Sequence, residues 1–161
     1  MSLNTSFVDI SNGLKLRVLS NVAVSGRNNT ETSVIFVHGW PSLAYCWRHQ
    51  LCSCPLDAYA FDLPGFGESS PSSDMSQRFL VQTVFALLEA LSLKFVIVVG
   101  HDWGGVVAWS VALARNPKIV GVGSFCTPLY KYVPGDAVER MRQNPGISVG
   151  GLVSYFTILT F

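Results

Sequence analysis

The chemistry of this chain concentrates in one short stretch. Gly100-His101-Asp102-Trp103-Gly104-Gly105 begins where the apolar run Phe95-Val96-Ile97-Val98-Val99 stops and a helical pattern starts. A turn of the form Gly-x-nucleophile-x-Gly holds its central residue in a strained conformation and lifts that side chain above a sheet. Its neighbours must be small so that strand and helix can approach, and Gly100, Gly104 and Gly105 meet that need. The central residue is a carboxylate, Asp102, where a serine would serve attack on a carbonyl. A carboxylate suits in-line displacement at a saturated carbon and would leave an alkyl ester on itself. Water attacking that ester puts an oxyanion on the enzyme's own side chain, which then needs hydrogen-bond donors. One expected donor is the backbone N–H of Trp103, the residue after the nucleophile. The other comes from the loop after an earlier strand, His38-Gly39-Trp40-Pro41, through the N–H of Trp40.

Each feature alone has a plainer reading. An Asp at a helix start is most often a cap. A glycine-rich strand-to-helix turn can also cradle phosphate, but this one is neither G-x-x-x-x-G-K-[ST] nor G-x-G-x-x-G. Two such motifs, each closing an apolar strand and in the right order, favour catalysis.

The elements needed to position these residues follow from periodicity. Ser33-Val34-Ile35-Phe36-Val37 is a continuous apolar run, as expected of a strand buried on both faces of a parallel sheet. Further strands are expected at residues 58–61, 95–99 and 119–125. Phe7 to Ile10 and Leu14 to Val18 read as a hairpin around a two-residue Asn12-Gly13 turn. Asp74 with Gln77 resembles a capping box, ahead of Leu80, Val84, Leu87, Leu88 and Leu91 at helical spacing, with Arg78, Gln82 and Glu89 on the wet face. A second helix is expected over residues 106–115, stopped by Asn116-Pro117. Alternating strand and helix predicts an α/β fold with a mostly parallel, doubly wound sheet.

Composition narrows the partners. The 161 residues are 49% hydrophobic and 13% charged, with a net charge of +1 and no basic block. Nucleic acid and anionic membranes require a clustered basic footprint, so the expected partner is a small, weakly charged molecule, with no nucleic acid and no membrane span. The uncharged stretch 146–161 is too short and glycine-rich to cross a bilayer. Cys46, Cys52, Cys54 and Cys126 form no Cys-x-x-Cys and lack zinc-ligand company. They read as reduced thiols in a cytoplasmic protein, with no metal and no cofactor.

The motifs together carry a resemblance. His38-Gly39-Trp40-Pro41, Trp47-Arg48-His49-Gln50, the segment Asp62-Leu63-Pro64-Gly65-Phe66-Gly67-Glu68-Ser69-Ser70, and the Gly100 to Gly105 turn are similar to those of epoxide hydrolases of the α/β-hydrolase superfamily. Thr127-Pro128 and Asn144-Pro145 fit the same pattern, so the likeness spans residues 33–145. It implies an α/β-hydrolase core over residues 1–130, incomplete at its C-terminal end, followed by the start of a cap over residues 131–161. It implies Asp102 as nucleophile, Trp40 and Trp103 as oxyanion donors, and Trp103 as a pocket wall. His38, Gly39, Pro41, Gly100, His101, Gly104 and Gly105 form the supporting loops, with Asp62, Gly65 and Gly67 structural. The implied substrate is an epoxide.

Three departures qualify this expectation. The family completes its triad with a later acid and a His, whereas the histidines here are 38, 49 and 101, and Asp136 and Glu139 fall in the cap region. The cap tyrosine that protonates the opening ring falls on Leu152, leaving Tyr155 as a substitute. The stretch between Trp47 and Asp62 is short, so a strand or helix there is expected to be trimmed. The chain thus resembles a truncated product, expected to be alkylated once without turnover, with strand 119–125 left as a bare sheet edge. A haloalkane dehalogenase shares the Asp-Trp pair but usually carries Asn at position 40 and Gln at 101. A non-catalytic binding or regulatory form is the reading from another class.

Overall fold

The computed structural model describes residues 3–11, 13–22 and 31–127, together with the backbone of 156–160. Seven strands form one sheet in the order β1-β2-β4-β3-β5-β6-β7. They are β1 (Asn4–Asp9), β2 (Lys15–Ser20), β3 (Thr32–Val37), β4 (Asp57–Phe61), β5 (Phe95–His101), β6 (Ile119–Phe125) and β7 (Phe156–Thr160). The central four, β4-β3-β5-β6, are parallel, and β1, β2 and β7 run antiparallel at the two sides.

The helices lie on both faces, as the doubly wound pattern requires. A 3-10 turn (Ala44–Trp47) leads into α1 (Arg48–Ser53), and α2 (Gln77–Ala90) and α3 (Trp103–Leu113) are the other helices among the described residues. Alternation along β3 shows why two cores form. Val34 and Phe36 pack with Trp47 and Leu51 on the α1 face, and Ile35 and Val37 pack with Leu87, Leu88 and Val107 on the other. The 47–62 segment holds both a helix and a strand: α1 is six residues long, and β4 pairs with β3 from Ser33↔Asp57 to Val37↔Phe61.

Local chemistry moves three boundaries. The hairpin closes through Gly13 N–H to the Ile10 carbonyl at 3.0 Å and Ile10 N–H to the Leu14 carbonyl at 2.9 Å, with Gly13 at φ +79°. That is a longer loop with a left-handed glycine, rather than a two-residue turn. The cap of α2 is Ser76, whose Oγ accepts the Phe79 N–H at 3.3 Å, and Asp74 instead accepts the Ser76 N–H at 2.8 Å. Helix α3 starts at Trp103, three residues earlier than periodicity suggested, because Asp102 itself occupies the N-cap.

The expected bare edge at β6 is corrected. β7 pairs antiparallel with β6 from Gly121↔Thr160 to Phe125↔Phe156. The uncharged Phe-Thr-Ile-Leu-Thr sequence has the β-branched content a strand favours, and its pairing satisfies backbone groups that β6 would otherwise leave open. The expected cap residues Asp136, Glu139, Asn144, Leu152 and Tyr155 lie outside the described residues. Among the described residues, no helix is long and apolar enough to cross a membrane.

Candidate active site

Chain order fixes where the site must be. From β3 the chain moves to β4 on one side and then returns across β3 to β5 on the other. Ligands of open α/β sheets bind at such a switch point, beyond the carboxyl ends of the strands. The register Val37↔Gly100 sets the loop after β3 beside the loop after β5. Residues 38–41 and 101–105 therefore converge, although about sixty positions separate them.

Asp102 occupies that convergence in a conformation few L residues adopt, φ 55° and ψ −122°. Such backbone costs on the order of 1–3 kcal/mol and persists only where its surroundings enforce it. Four close approaches do so. A Cβ on Gly39 would stand 2.5 Å from the Asp102 Cβ and 2.7 Å from its Oδ1. One on Gly100 would strike the Gly104 carbonyl, and one on Gly104 the Val37 carbonyl. One on Gly105 would lie 2.5 Å from both Ser124 Oγ and Thr127 Oγ1.

The carboxylate does not cap its own helix: Asp102 makes no side-chain hydrogen bond to the first turn of α3. Its Oδ1 instead accepts the Trp40 backbone N–H at 3.1 Å. The plain capping role is therefore unfilled, and the carboxylate is half-buried between two loops at the start of α3. The amide ends of that helix favour an anion there. Trp40 and Trp103 flank it and are 68% and 58% exposed, which leaves open surface for an apolar molecule to lie against. Pro41 follows Trp40 through a cis peptide bond.

His38 holds the loop and has no free nitrogen. It is completely buried, its Nδ1 lies 2.8 Å from the Gly39 carbonyl, and its Nε2 accepts the Leu63 N–H at 3.0 Å. Its Nδ1 thus carries the proton and donates, and the ring is neutral. Burial holds its pKa below the ordinary histidine value, against the opposing pull of the Gly39 hydrogen bond and the Asp62 charge. His101 is exposed at the end of β5. It continues the alternation of Ile97 and Val99, which face α1, while α3 departs from the other face. His49 lies on α1, exposed.

Asp62, also fully buried, is committed to structure. It accepts the Ala44 N–H at 2.8 Å and the Glu68 N–H at 3.4 Å, and pairs with Arg17 Nη1 at 3.2 Å. Gly67, at φ +54°, has no room for a Cβ beside the same carboxylate. No disulfide links the four cysteines. Among the described residues, no three His, Cys, Asp or Glu side chains gather as a metal site would require.

One contributor escaped the sequence reading. Thr127 appears there only as part of a Thr-Pro pair, yet its Oγ1 donates to the Asp102 carbonyl at 2.7 Å. The available signal was its place just past the end of β6, the strand beside β5.

Comparison with known proteins places the chain in a family. The profile of the alpha/beta hydrolase family matches residues 34–158. An epoxide hydrolase of Caballeronia sordidicola is 31% identical over 153 residues, covering 89% of this chain and 46% of that protein. The crystal structure of the epoxide hydrolase VrEH1 from Vigna radiata superposes with a TM-score of 0.69 at 30% identity, covering 86% of this chain and 46% of that one. Epoxide hydrolase A from Mycobacterium thermoresistibile gives a TM-score of 0.72 at 26% identity, covering 88% and 44%. The chain thus spans under half the length of these relatives. It belongs to the alpha/beta hydrolase family, and the three relatives named above are epoxide hydrolases.

Proposed function

We propose that this chain carries the nucleophilic half of an epoxide-opening hydrolase, with Asp102 as the attacking group. The observation that supports this most is the Asp102 carboxylate turned away from its own helix and bonded to the Trp40 N–H. Oδ2, the oxygen not engaged by Trp40, attacks a ring carbon of the epoxide. A C–O bond forms to Asp102, the ring C–O bond breaks, and the ring oxygen takes up a proton from solvent water, which leaves hydroxide. The product is a hydroxyalkyl ester whose carbonyl oxygen is Oδ1. Water adding to Cγ then places negative charge on Oδ1, where the Trp40 N–H already points and the Trp103 N–H is the second donor. Collapse releases a diol and restores the carboxylate.

The ester-forming step needs only a positioned carboxylate and a proton source, whereas ester hydrolysis needs a base for water. His38 is committed on both nitrogens, His49 lies on α1, and His101 sits on the α1 side of β5. These residues therefore favour an ester that forms and persists. The competing reading, a binding form without chemistry, draws on the same placement of histidines. Incubation with styrene oxide and intact-mass measurement separates the two. A stable increment of one epoxide, absent from Asp102→Ala, supports the nucleophile. A folded protein that gains no mass supports the binding form.

A further inference from the structure

We infer that Thr127 is a positioning residue for the nucleophile: its hydroxyl locks the strained peptide of Asp102 so that the carboxylate faces Trp40. This inference deepens the proposed role of Asp102 and rests on it. The end of β6 holds both sides of that residue. Asp102 N–H donates to the Phe125 carbonyl at 3.2 Å, and the Asp102 carbonyl accepts Thr127 Oγ1 at 2.7 Å. The same carbonyl also accepts the Gly105 and Val106 amides, at 2.9 and 3.3 Å, as the first turn of α3 requires. The helix alone therefore satisfies the carbonyl. What Thr127 adds is a tether from a different strand, which fixes the direction in which α3 leaves and with it the left-handed φ at Asp102.

Thr127 is itself restrained. Its own carbonyl accepts the indole N–H of Trp109 at 3.0 Å and the Ser124 hydroxyl at 3.1 Å. Trp109 is buried on α3, so helix, strand end and elbow close into a ring: Trp109 to Thr127, Thr127 to Asp102, Asp102 into α3. Its shape also explains Gly105, since any Cβ there would collide with Thr127 and Ser124. The Thr127 hydroxyl lies 3.3 Å from the Phe125 carbonyl as well, but its single proton goes to the shorter contact with Asp102.

The test compares Thr127→Val, which keeps the shape and removes the donor, with Thr127→Ser, which keeps the donor. Two quantities are read on the full chain: the rate constant for loading styrene oxide onto Asp102 as its concentration is raised to saturation, and hydrogen exchange of the Trp40 amide. We expect Thr127→Val to lose about tenfold in that rate constant at unchanged half-saturation, with a comparable loss of Trp40 amide protection. Thr127→Ser is expected to stay within about threefold of the parent on both. A folded Thr127→Val with parental loading and protection overturns the inference, as does a Thr127→Ser as impaired as the valine variant. Should the valine variant not fold, Trp109→Phe, which removes the donor to the Thr127 carbonyl, is expected to shift both readouts in the same direction by a smaller factor. Unchanged readouts there also overturn it. If no variant is loaded, the parent included, the nucleophile reading fails, and Trp40 amide protection alone decides the role of Thr127.

Discussion

The backbone N–H of Trp40 donates to Asp102 Oδ1 at 3.1 Å across 62 positions of sequence. Neither residue has a local reason to meet the other. Strands β3 and β5 are parallel neighbours in a register that sets Val37 opposite Gly100, and the two loops leave the same end of the sheet. The contact joins a helix-start anion to a main-chain donor, an arrangement suited to a carboxylate that is first alkylated and then bears an oxyanion.

Gly39 tests the closeness of that approach. Its missing side chain leaves room for the Asp102 Cβ, 2.5 Å from where an alanine methyl would stand. Gly39→Ala is expected to lower stability by about 1–3 kcal/mol through overpacking and to slow alkylation at least about tenfold, since the loop must retreat from Asp102. Urea unfolding and intact-mass kinetics on the same variant check both effects. Parental stability and rate would mean the loops have slack that the structure does not show.

His38 gives the site a pH dependence of stability. Burial depresses its folded-state pKa below the ordinary value, so the unfolded chain binds a proton more readily than the folded one. The stabilisation is complete above the unfolded pKa, about 6.5, and is lost as pH falls from there toward the folded value. The urea midpoint is expected to drop between about pH 7.5 and 5.5, more steeply for the parent than for His38→Gln, which has no imidazole to protonate. Removing the ring also frees the buried Leu63 N–H, so this variant is expected to lose about 1–3 kcal/mol at neutral pH. Equal pH slopes for the two proteins would exclude His38 as the source.

Asp62 separates a structural carboxylate from a chemical one. It ties Arg17, Ala44 and Glu68 together beneath the site. Asp62→Ala is expected to cost about 2–4 kcal/mol, because it takes one of two carboxylates from a mostly buried guanidinium, leaving Glu68 at 2.7 Å as its partner, and removes the acceptor of the buried Ala44 amide. Whatever fraction remains folded should still load epoxide on Asp102. Loss of loading in a protein with parental thermal unfolding would assign Asp62 to the chemistry.

The reach of sequence reading follows from what each feature depends on. β3, β4, β5 and β6 were legible because strands covered on both faces leave uninterrupted apolar runs, and the site was legible because Asp102 and the His38 to Pro41 loop lie at the ends of two of them. The α2 cap was displaced from Asp74 to Ser76 because both side chains accept from nearby amides, and only the geometry ranks them. β7 was missed because Phe156 to Thr160 is a short apolar run whose strand character arises from pairing with β6. Thr127 stayed hidden because its contact with Asp102 exists only once β5 and β6 lie side by side.

The most direct measurement is tandem mass spectrometry of the peptide spanning residues 101–115 after incubation with styrene oxide, in parent and Asp102→Ala proteins. The expected result is one epoxide mass carried as an ester on Asp102, labile to hydroxylamine, and absent from the alanine variant. An unmodified Asp102 in folded protein, or an adduct confined to Cys46 or Cys126, would contradict the assignment of this carboxylate as the nucleophile.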